Sequence, residues 1–591
     1  MRNKILFILK ILIAIGFFLT FLLESIIDGK VVSLVTVTNV LMGMILSVIM
    51  IISLKREDKP KKWMIFNALL FAIFIEIGIS MENTGSLSYF NNYFNLIRGL
   101  FNLVGLTVFI SFLLVYTKKI FRKIKNIIIN NKVLDFIFHQ HLFGSAFVIT
   151  LGVSLFYLIF YYPGTTCYDG IIQLSYYYNN LPFSNHHPAL LTMAMGFLMD
   201  IGKLLGSDNL GLFFFVFLQI IINALVYAYV LLIMKKMNIP IVIRIGALVF
   251  YAFMPMLATN AITFYKDTLF YLVFLFMIVY TYYHFVFKYD ASDNIKYVVL
   301  ALLYLSLYLL RNTGYYIVLV TTLGYMLYFI KKDKKVMSIF FILFALTVGE
   351  NVLYNKMLDN FNIARISPRE ALSIPLQESA RYIKYNKNKL SLQEVEVLKN
   401  LFGDLDVVGG AYNPFISDDV KLLFKKYPSN EELKSYFKVW FKGLKKSPLD
   451  YIDATILNTY GYIYPNFINF TTGEETPGFY FIYNMEGSRV SLSHNKLNRG
   501  RDALYKFGDT LTKVPGLNML YMPAFYVWIF ISFGIYMVAF KRKNELIHFI
   551  PLFMVIIFAF LGPVNGHIRY VYPVMVSIPF VIAILFRNRI N

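Results

Sequence analysis

The residues best placed to do chemistry stand in Tyr161-Tyr-Pro-Gly-Thr-Thr-Cys-Tyr-Asp-Gly170, with Gln173 one helical turn past Asp169 and His186-His187-Pro188 further on. The stretch begins where an apolar run ends, so Asp169 falls at a membrane exit. A carboxylate in that position is costly to keep and marks a candidate site. Pro163-Gly164 breaks the preceding helix, and the i, i+4 spacing of Asp169 and Gln173 puts both on one face of a short interfacial helix. A carboxylate there can accept a proton from an attacking hydroxyl or bind a divalent ion such as Mg2+ or Mn2+. The plainer alternative is a helix-capping or solvated aspartate. Adjacent histidines cannot both face inward from a helix. His187 is the better inward candidate, able to hydrogen-bond a phosphate or hydroxyl, with His186 beside it, and Tyr168, next to Asp169, is a further candidate for substrate contact. Interfacial packing before Pro188 is the alternative, and paired histidines alone do not make a metal site.

Other polar groups recur at the ends of apolar runs. Lys266-Asp267 lies in Thr263-Phe-Tyr-Lys-Asp-Thr268, Arg311-Asn312 in Leu310-Arg-Asn-Thr-Gly314, and His567, Arg569 and Tyr570 in Gly566-His-Ile-Arg-Tyr570. Cations in such places suit an anionic lipid head group, such as the phosphate of a long-chain carrier. The plainer readings are a snorkelling lysine and contact with bulk anionic lipid. Arg381, with Gln377 and Glu378, falls on an expected helix after Pro368 and is a further candidate for substrate contact.

The elements that position these groups are transmembrane helices. The chain has 591 residues, 58% of them hydrophobic, and a mean hydropathy of +0.60. Apolar runs of roughly 17–25 residues recur, and most are apolar all round. Window reading predicts an all-α polytopic protein of about 14 spans, near 5–23, 33–53, 63–81, 97–116, 142–161, 210–233, 240–258, 266–287, 296–310, 315–330, 337–353, 523–540, 546–562 and 571–586. The first is read as an uncleaved span rather than a signal peptide. The net charge of +22 does not point to nucleic acid, because the basic residues cluster in alternate short loops, the positive-inside signature. Both termini are then cytoplasmic, and Asp169, Lys266, Arg311, segment 354–522 and His567–Arg569 all lie outside. The expected organisation is a four-span N-terminal appendage (1–139), a core (140–353) with its first outer loop at 162–209, a mainly helical extracytoplasmic domain (354–522) and three closing spans (523–591). In that domain Ser391-x-x-Glu394 and Ser429-x-x-Glu432 read as capping boxes and Ser447-Pro448 as a helix start, while Asn466–Gly516 reads as looped. The single cysteine, Cys167, excludes an intramolecular disulfide and a cysteine-based zinc site.

No P-loop, GxGxxG, HExxH or nucleophile elbow is present, and no cytoplasmic loop is long enough for a nucleotide-binding domain. The pattern Tyr-Pro-Gly, Asp169, Gln173, His187-Pro188, Lys266-Asp267, Arg311-Asn312-x-Gly314 and Ile568-Arg-Tyr570 resembles an uncharacterised group of bacterial membrane proteins placed near the GT-C glycosyltransferases. The resemblance covers about residues 140–591. It implies a multi-pass protein of the bacterial plasma membrane that takes a sugar from a polyprenyl-phosphate carrier, with Asp169 as the catalytic carboxylate and Lys266 and Arg311 on the lipid phosphate. The acceptor is then a cell-surface glycan, lipid or protein. No Asp-Asp or Asp-Glu pair stands at Asp169, unlike the protein-mannosylating branch. Two other readings stay open: a polysaccharide polymerase or ligase using lipid-pyrophosphate donors, and a lipid-linked glycan flippase, for which Glu76 within a span is the one clear intramembrane charge.

Overall fold

A computed structural model of the chain describes residues 25–27, 30–32 and 59–587, except 126, 128–130, 289–293, 468–478 and 485–488. The protein is an all-α, multi-pass membrane protein. Its first half carries α1 (Lys62–Thr84), α2 (Tyr93–Lys125), α3 (Leu142–Tyr161), the short α4 (Tyr168–Tyr177), α5 (Ala189–Leu204), α6 (Asp208–Lys236), α7 (Ile241–Phe253), α8 (Pro255–Ala261), α9 (Lys266–Tyr282), α10 (Ile295–Leu310), α11 (Asn312–Phe329) and α12 (Lys334–Asn360). A polar domain follows, built on α13 (Ser373–Asn386), α14 (Leu392–Phe402), α15 (Asn430–Lys446), α16 (Pro448–Leu457) and α17 (Asn498–Lys513). The chain then returns through α18 (Pro523–Ala539), α19 (Ile550–Phe560) and α20 (Tyr572–Phe586).

Among the described residues, eight helices are long and apolar enough to cross a membrane: α1, α2, α3, α6, α9 continued to Phe287, α12, α19 with the turn from Lys543, and α20 from Ile568. The other expected spans differ for local reasons. Pro255 cannot continue a helix, and Met254 before it is extended, so the window 240–258 becomes the pair α7–α8, bent by 54°. At 16 residues, α10 is about 24 Å long, short of a hydrocarbon core of roughly 30 Å. The 17-residue α18 is likewise a shorter apolar helix. The polar start Asn312-Thr-Gly-Tyr-Tyr keeps α11 out of the eight. Windows 5–23 and 33–53 lie outside the described residues.

The core runs through α6, α7, α9, α18 and α20. Tyr227 stacks on Tyr251 with centroids 4.2 Å apart, and the Tyr251 hydroxyl donates to Val576 O of α20. In such an interior, aromatic packing and internal hydrogen bonds hold helices together, because lipid offers no aqueous driving force. One set of basic residues gathers at the end of the bundle away from Asp169. There Lys235 donates to His139 O, Arg244 donates to Phe138 O and Ile239 O, and Arg542 and Arg587 pair with Glu545.

The polar domain begins as its sequence predicts. Both capping boxes form, Ser391 with Glu394 and Ser429 with Glu432, and α16 starts at Pro448 after Ser447. The expected loop Asn466–Gly516 is wrong in its later part, where α17 forms. The Asn-Arg-Gly-Arg opening of α17 reads as a loop, but Arg501 is anchored on the end of α3, donating to Phe160 O and Asn495 O.

In its described part, the N-terminal unit is knit to the rest rather than standing apart. Phe71 of α1 stacks on Trp528 of α18 at 4.0 Å, and Asn67 donates to Ser532. The turn after α1 docks on the polar domain: Leu87 N–H donates to Asp453, and Arg381 bridges Gly85 O and Asp453. Arg381, read from the sequence as a substrate contact, is thus a brace between two parts of the chain. Its partners also include Asp450 and Tyr412, and none belongs to the Asp169 cluster. Removing one member of a buried ion pair costs about 3–5 kcal/mol, so Asp453→Ala should lower the melting temperature of the detergent-solubilised protein and expose the polar domain to protease. A variant that melts and resists protease like the wild type would remove Arg381–Asp453 as a brace.

Candidate functional site

Two segments far apart in sequence are brought together by a minimal parallel pairing. Thr165–Thr166 pairs with Thr263–Phe264, in register Thr165↔Thr263 and Thr166↔Phe264, and the two threonine hydroxyls meet at 2.9 Å. Gln219 of α6 locks the second strand by donating to Ala261 O and Thr263 O. Each strand runs straight into a helix, α4 from one and α9 from the other, so Asp169 and the Lys266-Asp267 pair emerge side by side in first turns. Carboxylates there are favoured by the helix dipole. Gly170 permits the approach, since a Cβ at this position would lie 2.1 Å from Phe264 O.

Five charged groups converge. Lys266 Nζ lies 2.6 Å from Asp169 Oδ2, and Arg569, entering from the start of the last span, bonds the same oxygen through Nη2. Arg569 Nε lies 2.6 Å from Asp267 Oδ2, an ion contact without hydrogen-bond alignment. Arg311 Nη1 lies 3.6 Å from Asp267 Oδ1. His187 Nδ1 sits 2.9 Å from Lys266 Nζ and is buried, while His186 is exposed. Three cations therefore face two carboxylates. Burial would raise the Asp169 carboxyl, but Arg569, Lys266 and His187 outweigh it and hold Asp169 well below the usual carboxylate range. Burial, reinforced by Lys266, keeps His187 well below the usual imidazole value and hence neutral. Burial, with Arg569 beside it, pushes His567 down to about 3. Burial and the charge of Asp169 push the Cys167 thiol up to about 12, so it stays protonated.

Beside the cluster opens a cleft of about 640 Å³ between α11, α12 and α19, roofed by the strap 365–371. Its lining includes the polar Arg311, Asn312, Asn185 and Glu370, the apolar Val555 and Phe558 of α19, and Leu561 just past the end of that helix. The strap is stitched to the histidine loop: Asn185 N–H donates to Ala364 O, and Ala364 N–H donates to Phe183 O. Glu370 accepts from Lys421 and electrostatically faces His186. Among the described residues Arg311 has Asp267 as its ion partner, its guanidinium 5.4 Å from the Phe270 ring centroid, and it forms part of the cleft wall.

The sequence candidates sort themselves by contact. Asp169, His187, Lys266, Asp267, Arg311 and Arg569 form the cluster. His567 stands within its field, and its ring lies 5.2 Å from that of Tyr570, which lines the cleft. Asn312 donates to Asn185 O and so positions the histidine loop. Gln173 is on the predicted helix but fully buried, donating to Thr192 of α5; among the described residues it fastens two helices rather than joining the ions. Tyr168 is exposed, its ring 6.1 Å from that of Tyr483. Sequence reasoning missed Gln219, Asn185, Gly170 and Glu370. Only Gly170, beside Asp169, carried a signal.

The donor set does not suit a divalent ion. Asp169 is engaged by two cations, Asp267 faces two more contacts of the same sign, and no group of three or more His, Cys, Asp or Glu converges among the described residues. An anion fits this field and a further cation does not.

Two expectations follow. Gly170→Ala must push α4 off Phe264 and should reduce thermal stability and any Asp169-dependent activity together; normal values of both would show that the close approach is not needed. For His567 the unfolded chain binds a proton below about pH 6.5 that the fold refuses until about pH 3. It therefore lowers stability as pH falls through that window, by roughly 1.4 kcal/mol per pH unit. His567→Gln should flatten the fall in melting temperature between pH 6.5 and 4, and an unchanged slope would count against this assignment.

No curated protein and no solved structure matches the chain. The match to a family profile runs over residues 178–591; it begins after Asp169 and takes in His187, Lys266, Asp267, Arg311 and Arg569. Over the greater part of its length, and with most of this ion cluster inside the match, the chain belongs to a family of unknown function, DUF6020.

Proposed function

We propose that the protein is a GT-C-type membrane glycosyltransferase that moves a sugar from a polyprenyl-phosphate carrier to a hydroxyl of a cell-surface glycan, lipid or protein. The observation that carries this reading is the unbalanced buried charge. Lys266, Arg311 and Arg569 exceed Asp169 and Asp267 by one positive charge, and Arg311 borders a cleft whose wall includes apolar side chains of α19. A phosphodiester-linked lipid carrier brings one negative charge and one long apolar chain. It answers both features, and its source is the bacterial plasma membrane in which the chain sits. A lipid-pyrophosphate donor brings two charges to a surplus of one. A flippase needs polar groups along a path at the midplane, whereas these gather at one end of the bundle.

The alternation of basic loops supports an extracytoplasmic site with cytoplasmic termini, since Lys235, Arg244, Arg542 and Arg587 all cluster at the far end. About 14 spans around a GT-C-like core complete the proposal. In the reaction the bond between the sugar's anomeric carbon and the phosphate oxygen breaks, and a bond from the acceptor oxygen to that carbon forms. The phosphate leaves as a monoester with one more negative charge, which Arg311, Arg569 and Lys266 stabilise. The acceptor's proton passes to Asp169.

The test is mass spectrometry of lipid-linked sugars and surface glycans from cells carrying wild type, a deletion, Asp169→Asn or Arg311→Gln. Asp169→Asn should cut turnover by about 10²–10⁴-fold with normal expression, and Arg311→Gln should weaken use of the donor. Both should accumulate one polyprenyl-phosphate sugar and lose one sugar from a surface glycan. Wild-type glycans from Asp169→Asn beside altered glycans from the deletion would sink the base assignment.

A further inference from the structure

Asp169 is a poor base in this structure. A base needs a proton affinity near that of the working pH. Yet Oδ2 of Asp169 receives Lys266 and Arg569 together, and these are the same N–H groups that an anionic head group would seek. Each cation is also tethered by a second partner. Asp267 holds Arg569 through Nε, leaving Nη2 to Asp169, and His187 holds Lys266 at 2.9 Å. Asp169 can therefore leave without either cation losing its place. It sits in the first turn of a ten-residue helix next to the exposed Tyr168, with its side chain 18% exposed.

We propose that Asp169 is a latent base: an anionic head group bound at Arg311, Arg569 and Lys266 takes over the donors that now engage Asp169, and only then is the carboxylate released to accept a proton. This rests on the transferase reading above and adds an order to it, anion first and hydroxyl second. It prevents the site from activating water in the absence of a donor. The electrostatics agree. Burial is the largest influence on Asp169 and favours its neutral form; Arg569, Lys266 and His187 oppose it. Asp267, Cys167, Tyr176, Tyr570, His186 and His567 also face the group; burial holds both imidazoles below their usual value, so none supplies a further cation at neutral pH. Once a phosphate occupies the cations, burial prevails and the proton affinity of Asp169 rises.

Dicyclohexylcarbodiimide modifies protonated carboxyls in apolar surroundings, so it reports the release directly. The full-length protein in detergent is treated at neutral pH alone, with dodecyl phosphate, with inorganic phosphate and with dodecanol, and labelling of Asp169 is read by peptide mass spectrometry. Dodecyl phosphate binding is followed separately by thermal shift. Expected is a several-fold rise in Asp169 labelling with dodecyl phosphate and none with dodecanol. The rise should be lost in Arg311→Gln, and labelling in Lys266→Gln should be high without any phosphate. A rise with inorganic phosphate as well means that the charge suffices; a rise with dodecyl phosphate alone means that the chain must also seat in the cleft. Either supports release by an anion. No binding of dodecyl phosphate, or saturating binding with unchanged labelling in the wild type, overturns the proposal. The two readings fail separately. Unchanged labelling with an inactive Asp169→Asn leaves the transferase standing without the latch, and increased labelling with an active Asp169→Asn leaves an anion-responsive carboxylate that is not the base.

Discussion

A charge withdrawn from water at the edge of a membrane survives only beside its opposite, and the chain Lys266–Asp169–Arg569–Asp267–Arg311 is how this protein meets that condition. Removing a carboxylate or an ammonium from water costs several kcal/mol, which is recovered only when geometry and hydrogen bonding are good. Asp169 and Arg569 are 400 residues apart, so the pairing joins the first polar segment of the core to the entry of the last span. The parallel strand pair, Gln219 beneath it and the close pass at Gly170 all serve to deliver these charges to one place. The bundle is built to hold that cluster, and the cluster in turn fastens the ends of α4, α9 and α20.

The surrounding polar contacts divide into scaffold and surface. Gln173, Asn312, Asn185 and Arg381 are each spent on holding one piece of chain against another. Arg311 differs: it touches the cluster on one side and the cleft on the other. Asp267 is buried, and neither of its oxygens has an aligned donor. Three cations against two carboxylates leave a surplus of one positive charge at the cluster, which one further anion would balance. That surplus, more than any single residue, is what supports the proposal of a lipid-phosphate substrate.

What depends on neighbours along the chain is legible in the sequence. Hydropathy is additive over a window, so every expected span among the described residues is helical, although one is broken at Pro255 and only eight meet the length and composition of a crossing. Capping is a three-residue matter, and both boxes formed. The break at Pro163-Gly164, the short helix carrying Asp169, and the inward His187 beside an outward His186 were legible for the same reason. Only the tertiary structure decided which side chains meet. Nothing local distinguishes Arg381, a brace, from Arg311, a cation at a cleft; both are arginines beside polar neighbours. The i, i+4 spacing of Asp169 and Gln173 was right, yet Gln173 turned to Thr192 because α5 packs there. The helix α17 was read as loop because its composition is that of one, and it is anchored by what distant segments offer it: Arg501 on the end of α3 and Tyr505 against Phe479 and Phe481. Helix formation is dictated by short-range periodicity, whereas ion pairing is dictated by packing among segments hundreds of residues apart, and no reading along the chain can supply that.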